Sequence, residues 1–298
     1  MKIGVISSNL FCTPLLLSLQ KSGAQTSVWA ASGEQQQLLD WCRQNRVPAA
    51  AEKEPKDLYP WLKKQAHDLV FIIGYNQRIY RDKIFAPAAP IYNVHFGPLP
   101  GYRGPSPVFW QLKEGRKEIG LAIHELSDRM DAGGIVWMKA VINEPHFTYT
   151  FVHLLFSELL VEGVYRVIEG QNTGLITIAQ EEKDARTYIR PQLADVLINW
   201  QEMTADEICH LIKACNAWNT GALTSFYGNE LAIIDASAEQ EKEAGQKPGT
   251  IINNKKQLSI CCRDGQVLTV HYLRFNQLPF PGRWAAQLGM KTGQCLGT

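Results

Sequence analysis

The first half of the chain alternates short apolar runs with segments of helical periodicity. The apolar runs are Lys2 to Ser7, Thr26 to Ala30 and Leu69 to Ile73, and the helical segments are Thr13 to Gln20, Glu34 to Asn45 and Lys56 to Gln65. A strand that is apolar almost throughout needs cover on both faces, which helices on the two sides of a parallel sheet provide. The pattern therefore predicts the α/β class, with a Rossmann-like parallel sheet and helices on both faces.

The turn after the first predicted strand limits what such a sheet can bind. It runs from Ser7 to Leu10 (SSNL), whereas a dinucleotide-binding turn needs the GxGxxG pattern that lets the backbone approach a pyrophosphate. We therefore predict a Rossmann-like sheet without a dinucleotide site.

The second half has a different pattern. A long helix, predicted over Thr148 to Glu169, stops at Gly170, and the polar, irregular stretch 184–195 is typical of a linker. After it come a short helix, Thr204 to Cys215, and then short apolar runs divided by turn residues, at 231–234, 249–252, 258–262 and 267–273. Short strands with regular turns predict a small β-barrel. We expect a first domain over 1–183, a linker over 184–195 and a C-terminal barrel domain over 196–298.

Composition excludes several classes of function. Of the 298 residues 45% are hydrophobic and 20% charged, with a formal net charge of +1, so nothing in the overall charge favours a polyanionic partner. The apolar start is too short for a signal peptide, and no apolar run is long enough for a membrane helix. We therefore predict a cytoplasmic protein that has no membrane partner. Seven cysteines without CxxC spacing indicate reduced thiols and no metal site.

Asn93 and His95 stand where a strand beginning at Ile91 would reach the carboxyl end of the sheet. Residues two apart in a strand point to the same side, and open α/β sheets place their sites at this edge. The Pro- and Gly-rich stretch 97–107 would fix a loop around the pair. An amide donor beside a titratable imidazole suits stabilisation of a developing oxyanion with proton transfer nearby. Alone, a histidine at a strand end is explained as well by a structural hydrogen bond.

Asp131 opens a tight turn, Asp131 to Gly134 (DAGG), before a further strand from Ile135 to Lys139. Aspartate is a favoured turn residue, so its position alone has a structural explanation. Its candidate catalytic role depends on its combination with the earlier motif.

Three spaced elements together resemble the folate-dependent formyltransferase family, which includes glycinamide ribonucleotide, methionyl-tRNA and amino-sugar formyltransferases. They are Asn93-x-His95, Leu99-Pro100-x-x-Arg103-Gly104-x-x-Pro107 and Asp131-Ala132-Gly133-x-Ile135. The resemblance implies transfer of a formyl group from 10-formyltetrahydrofolate to an amine, with no covalent enzyme intermediate. It further implies that Asn93 and His95 hold the formyl oxygen, while Asp131 assists proton removal and keeps His95 oriented and charged.

The same resemblance implies two further sets of residues. The folate site would be formed by Gln77, Arg78, Ile79 and Tyr80 together with Leu126, Ser127 and Asp128. The substrate loop would contain Gly97, Pro98, Leu99, Arg103 and Gly104. Because backbone atoms do much of the folate binding in the family, side-chain identity at the first set is a weak guide.

The C-terminal half resembles the accessory domain of methionyl-tRNA and amino-sugar formyltransferases, which is a barrel of the oligonucleotide/oligosaccharide-binding (OB) type. The matching residues are 198–200 (INW), 212–218 (IKACNAW) and 248–251 (PGTI). Within them we interpret Trp200 and Trp218 as barrel core or domain interface.

The acceptor amine is the least determined part of the prediction. Three features disfavour methionyl-tRNA: Gly97 and Pro98 replace the family's Ser-Leu, residues 31–37 carry no Lys or Arg where the tRNA enzymes have a basic insertion, and residues 200–298 hold 9 Lys+Arg against 9 Asp+Glu. RNA binding needs a cationic surface. The segment from Pro107 to Trp110 and that from Ala285 to Met290 resemble amino-sugar enzymes instead.

We therefore expect a small-molecule amine: a nucleotide-linked amino sugar, or an amino-acid-derived amine or hydroxylamine. The alternatives are methionyl-tRNA formylation, hydrolysis of formyltetrahydrofolate, and folate or sugar binding without turnover. The sequence leaves the oligomeric state open.

Overall fold

The computed structural model describes residues 1–84, 89–216, 221–242 and 245–297. The chain divides into two compact units, of which the first comprises Met1–Pro107, Glu118–Val141 and His153–Tyr188. The second comprises Val108–Lys117, Ile142–Val152 and Ile189–Thr298. Trp218, for which a core or interface role is predicted, lies outside the described residues.

The first unit is built on a seven-stranded sheet of order β3-β2-β1-β4-β5-β6-β7. Its strands are β1 Lys2–Ser7, β2 Gln25–Ala30, β3 Ala49–Ala51, β4 Leu69–Ile73, β5 Ile91–His95, β6 Glu118–Glu125 and β7 Ile135–Ile142. The first five strands pair in parallel, and β6 pairs antiparallel to β5. The predicted α/β class is confirmed, with the difference that the sheet is mixed rather than purely parallel.

Five helices in the described part of residues 13–173 follow the apolar periodicity of the sequence. They are α1 Thr13–Lys21, α2 Gln35–Gln44, α3 Leu58–Gln65, α4 Pro107–Lys113 and α5 Tyr149–Thr173. In α2, for example, Leu38 and Cys42 are one turn apart and both buried, as an amphipathic helix against a sheet requires. The bounds of α1, α2, α3 and α5 agree with the predicted ones to within a few residues.

The end of α5 differs from the prediction. The helix continues through Gly170 and ends at Thr173, immediately before Gly174, whose φ is +94°. A glycine in the left-handed region is the common residue just beyond a helix end. The expected stop at Gly170 was wrong because a single glycine within a helix only lowers its stability.

The core of the first unit lies along the central strands. All residues of β4 are buried, as are all of β1 after Lys2. Burial of each large apolar side chain here contributes about 1.5–3 kcal/mol. The rigid strands end at a common edge, where β5 delivers Asn93 and His95 and the antiparallel β6 places His124 opposite Asn93.

The second unit contains an antiparallel sheet of six strands. They are β8 Ala222–Phe226, β9 Asn229–Lys242, β10 Ile251–Asn253, β11 Leu258–Cys261, β12 Gln266–Phe275 and β13 Leu278–Pro281, preceded by α6 Leu193–Val196 and α7 Ala205–Cys215. The strand order is β10-β11-β12-β9-β8, with β13 also paired to β12. The sequence prediction missed β8 and β13. That the sheet closes as an OB-type barrel stays a prediction.

Two aromatic residues of the second unit have structural roles. Trp200 is buried and its indole N–H donates to Oγ1 of Thr224 at 2.9 Å, which agrees with its interpretation as core. Phe109 is fully buried.

Among the described residues, no helix combines the length and the apolar character needed to cross a membrane.

Candidate functional site

Asn93 lies within hydrogen-bond distance of a residue that the sequence prediction did not include. In the antiparallel pair β5–β6, Asn93 is the register partner of His124. Residues directly opposite each other across such a pair hold their side chains on the same face. Nδ2 of Asn93 is 3.0 Å from Nε2 of His124, and both side chains are largely shielded from solvent.

Asp131 joins this cluster from the turn before β7. Its φ of +52° puts it in the left-handed region, which is uncommon for a residue other than glycine, although aspartate tolerates it better than most. Oδ1 of Asp131 accepts from the Asn93 amide at 3.3 Å and lies 3.5 Å from Nε2 of His124. Its Oδ2 accepts from the backbone N–H of Gly104 at 2.9 Å and lies 3.8 Å from Nδ1 of His95. The structure thus brings Asn93, His95 and Asp131 together.

The hydrogen-bond partners determine which ring nitrogens carry protons. Nδ1 of His124 is 2.9 Å from the carbonyl oxygen of Glu125, so this nitrogen must be the donor. In the neutral ring Nε2 then carries a lone pair, which accepts a hydrogen bond from the Asn93 amide. By the same reasoning Nε2 of His95 donates to the carbonyl of Tyr102 at 2.6 Å, and Nδ1 of neutral His95 carries the lone pair on the side of Asp131.

Burial sets the charge states of the cluster. Burial lowers the pKa of His95, and the neighbouring Asp131 counteracts this only in part, so the pKa stays below its ordinary value of 6.5. For Asp131, burial acts to raise the pKa, but the neighbouring His95 and His124 rings and the Gly104 N–H outweigh it and hold the pKa well below its usual range. At neutral pH the site therefore contains an ionised Asp131 beside a neutral His95. That Asp131 keeps His95 oriented and charged during the reaction stays a prediction.

The predicted substrate loop forms one wall of the cluster. A Cβ on Gly97 would lie 2.7 Å from Pro107 and 3.0 Å from Nε2 of His95, so only glycine fits there. Pro98 is half-buried, and Leu99 is buried against Ala122 and Ile135.

The Arg103 side chain is hydrogen-bonded to other residues of the protein. Its Nε donates to Gln180, and its terminal nitrogens donate to Glu182. Leu99 and Arg103 thus shape the loop, while the Gly104 N–H contacts Asp131 directly. Direct contact of this loop with a substrate stays a prediction.

The two predicted folate segments are neighbours in the structure. The Arg78 guanidinium donates to the carbonyl of Asp128, and Ile79 is buried in a cluster against which Leu126 packs. Gln77 and the Tyr80 ring are exposed, and the Arg78 guanidinium lies 5.2 Å from the centre of that ring.

The Ser127 hydroxyl donates to the carbonyl of Arg129, two residues along the same segment, at 2.6 Å. The two segments therefore contact each other through Arg78 with Asp128 and Ile79 with Leu126, and their role in binding stays a prediction.

Two residues of the site escaped the sequence prediction. His124 closes the motif 120–124 (GLAIH), whose only signal was a histidine at the end of a strand. Gln180 donates to the carbonyls of Asp131 and Gly133 at 2.8 and 2.7 Å, and no local pattern marks it. In the part of the chain that the structure describes, no group of three His, Cys, Asp or Glu residues is arranged to hold a metal ion.

Family comparisons match both halves of the chain. The model described as formyl transferase matches residues 19–154, and that described as formyl transferase, C-terminal domain, matches residues 192–282. The chain is 31% identical over 214 residues to a methionyl-tRNA formyltransferase of Enterococcus faecalis and 30% identical over 202 residues to one of Pelotomaculum thermopropionicum. These matches cover 70% and 66% of this chain, and 66% and 62% of the relatives' length.

Solved structures share the fold at low sequence identity. HypX from Aquifex aeolicus in complex with tetrahydrofolic acid superposes with a TM-score of 0.70 at 18% identity, covering 97% of this chain and 47% of HypX. An N-formyltransferase from Helicobacter canadensis, in complex with folinic acid and dTDP-3-aminofucose, gives a TM-score of 0.70 at 17% identity, covering 91% and 98% of the two chains.

Proposed function

The chain belongs to the formyltransferase family, and from that premise we propose that it transfers a formyl group from 10-formyltetrahydrofolate to the amine of a small acceptor. The observation that carries the proposal is the contact of Asp131 with both Asn93 and His95 at the carboxyl edge of the sheet. Formyl transfer to an amine needs a donor for the oxygen that gains charge and an acceptor for the amine proton. The cluster offers both.

The two folate segments present exposed residues beside each other. Arg78 and Asp128 fix two loops against each other, and the loop backbone and the Tyr80 ring remain accessible beside them. Residues 77–80 and 126–128 would hold 10-formyltetrahydrofolate, which when bound supplies the electrophilic formyl carbon. Structural relatives that contain tetrahydrofolic or folinic acid support a folate as the co-substrate.

Asn93 and His95 divide the chemistry. The Asn93 amide lies 3.0 Å from His124 and 3.3 Å from Asp131. Because the contact with Asp131 is the longer one, we assign the N–H that makes it to the formyl oxygen. Neutral His95 accepts the proton of the attacking amine at Nδ1, where its lone pair lies. Asp131 is ionised because its pKa is low. Its negative charge then stabilises the imidazolium across 3.8 Å and keeps the ring oriented.

The choice of a small amine rests on charge. The helix start that would have to grip an RNA acceptor stem, residues 31–37, contains no Lys or Arg, and residues 200–298 are balanced at 9 Lys+Arg and 9 Asp+Glu. Proteins that bind RNA phosphates concentrate cations on the binding face. Nucleotide-linked amino sugars and amino-acid-derived amines or hydroxylamines make no such demand.

Release of tetrahydrofolate tests the proposal. The chain is incubated with 10-formyltetrahydrofolate and a panel of nucleotide-linked amino sugars, ornithine derivatives and hydroxylamines. We expect turnover on at least one amine, and at least about a 10²-fold loss of kcat in Asn93→Ala or His95→Ala. Formate released without any amine would assign hydrolysis instead. Folate binding by calorimetry with no turnover on any acceptor would assign a binding protein.

Methionyl-tRNA formylation is the second candidate, favoured by the 31% identity to the Enterococcus faecalis enzyme. It predicts formylation of charged initiator tRNA, with binding that weakens steeply as salt rises because cation–phosphate contacts release counterions. Binding and formylation of methionyl-tRNA, with no turnover on the small amines, would replace our proposal by this one.

A further inference from the structure

Asp131 holds a backbone conformation that residues other than glycine seldom adopt. Its φ of +52° lies in the left-handed region, which persists only when the surrounding structure determines it. If this residue relaxed, its carboxylate would leave the Gly104 N–H and move away from His95. The contacts that keep Asp131 in place therefore bear on the whole cluster.

Gln180 supplies those contacts from outside the turn. Its side-chain amide donates one hydrogen to the carbonyl of Asp131 at 2.8 Å and the other to the carbonyl of Gly133 at 2.7 Å. Both N–H groups are thus used to bridge the turn across two residues. A hydrogen bond to the carbonyl of the strained residue itself opposes the rotation that would release it.

The orientation of this amide is fixed from its other end. Oε1 of Gln180 accepts from Nε of Arg103 at 3.0 Å, and Arg103 is buried, with only 4% of its surface exposed. A flipped amide would place its oxygen against two carbonyls and its NH₂ against a guanidinium. Every contact around Gln180 therefore requires the same orientation.

Arg103 links this bridge to the opposite side of Asp131. The residue after it, Gly104, donates its backbone N–H to Oδ2 of Asp131. The segment that carries Gln180 is also paired with both loops: Ile178 exchanges two backbone hydrogen bonds with Ile135, and Arg186 donates to the carbonyl of Pro100 at 3.1 Å. Gln180 thus sits where one segment contacts the Asp131 turn and the 97–104 loop together.

We propose that Gln180 is a positioning residue for Asp131 in formyl transfer, acting through the backbone of the Asp131 turn. The inference rests on the proposed function, since positioning matters only to a cluster that does chemistry. Gln180 lies within residues 155–191, the stretch between the two segments that the family models match.

The test compares Gln180→Leu, which keeps the size but removes both donors, with Gln171→Leu. Gln171 lies in the same unit, and its amide donates to the Tyr92 hydroxyl at 3.0 Å, so the control loses a similar bond away from the turn. We expect Gln180→Leu to lower kcat by about 10- to 100-fold with KM changed by less than about threefold, since a displaced catalytic group acts on the chemical step. Gln171→Leu should leave kcat within about twofold.

Hydrogen exchange provides a readout that does not depend on turnover. Release of Asp131 should speed exchange of the Gly104 amide by about tenfold while the amide of Ile6, in the core strand β1, exchanges as before. Should Gln180→Leu fail to fold, Gln180→Glu replaces it, because a carboxylate retains the Arg103 contact and lacks the two donors.

The outcomes separate the two claims. A wild-type protein that is inert on every acceptor defeats the proposed function, and Gly104 exchange then tests the positioning alone. An active wild type whose Gln180 variant keeps kcat within about twofold, or keeps the Gly104 amide fully protected, overturns the role of Gln180.

Discussion

Asn93 and His124 face each other across the antiparallel pair β5–β6, with Nδ2 of Asn93 3.0 Å from Nε2 of His124. Because Nδ1 of His124 is occupied by the Glu125 carbonyl, the ring can only accept from Asn93 in its neutral form. His124 therefore holds one amide hydrogen of Asn93 and leaves the other for Asp131 or for a substrate oxygen. This places His124 in the cluster as the residue that orients the Asn93 amide.

Replacement of His124 by leucine should lower kcat by about tenfold or more. The substitution leaves the Asn93 amide free to rotate and leaves one buried donor without a partner, a loss of about 1–3 kcal/mol. Steady-state kinetics on the accepted amine measure it. His271→Leu serves as control, because that exposed histidine of β12 contacts only Ser237 in the hydrogen bonds described for it. Equal kcat in the two variants would remove His124 from the orientation of Asn93.

Asp131→Asn should reduce kcat by about 10²-fold, since an amide keeps the shape of the side chain but cannot stabilise a proton arriving on His95. Asp40→Asn is the matched control in the same unit, because the Asp40 carboxylate contacts Arg43 and Gln36 on α2, outside the cluster. Kinetics at saturating amine measure both. Retention of more than a third of wild-type kcat by Asp131→Asn would mean that its charge has no part in the reaction.

The features that were predictable from the sequence are those carried by neighbouring residues. Apolar runs such as β4 identify buried strands locally, and Asn93 with His95 needed only period-two alternation and a resemblance. His124 could not be found in this way because its proximity to Asn93 depends on an antiparallel register across 31 positions. Gln180 is 49 positions from Asp131, and nothing in the local composition around it marks such a contact. The end of α5 was misplaced because one glycine weakens a helix without determining its end.

The pH dependence of stability should reveal the buried His95. Its folded pKa lies below the ordinary 6.5, so below that pH the unfolded chain binds a proton that the folded site takes up less readily, and stability falls as pH decreases. Asp131 does not contribute between pH 5 and 8, because its ordinary pKa of 3.8 in the unfolded chain and its still lower pKa in the folded protein both leave it ionised there. Wild type should therefore lose unfolding free energy from pH 7.5 to pH 5 more steeply than His95→Gln, in which an amide still donates to Tyr102.

Urea unfolding of both proteins across that range provides the measurement. Burial also lowers the pKa of His67 and of His210, but these two residues contribute the same slope to wild type and variant, so the difference reports His95 alone. Parallel curves for the two proteins would show that His95 titrates normally in the folded state.

Gly133→Ala should disrupt the site through the backbone rather than through any catalytic group. A Cβ at Gly133 would lie 1.8 Å from the carbonyl oxygen of Glu125, so the end of β6, next to His124, must move. Overpacking of this kind costs about 1–3 kcal/mol, and the shift carries the carbonyl that binds Gln180 with it, so both Tm and kcat should fall. Gly101→Ala is the control on the facing loop, because its Cβ would meet only the Pro98 carbonyl at 3.7 Å. Thermal unfolding that gives the same Tm for the two variants would show that the turn yields without cost, and Asp131 would then owe its position to something other than a rigid backbone.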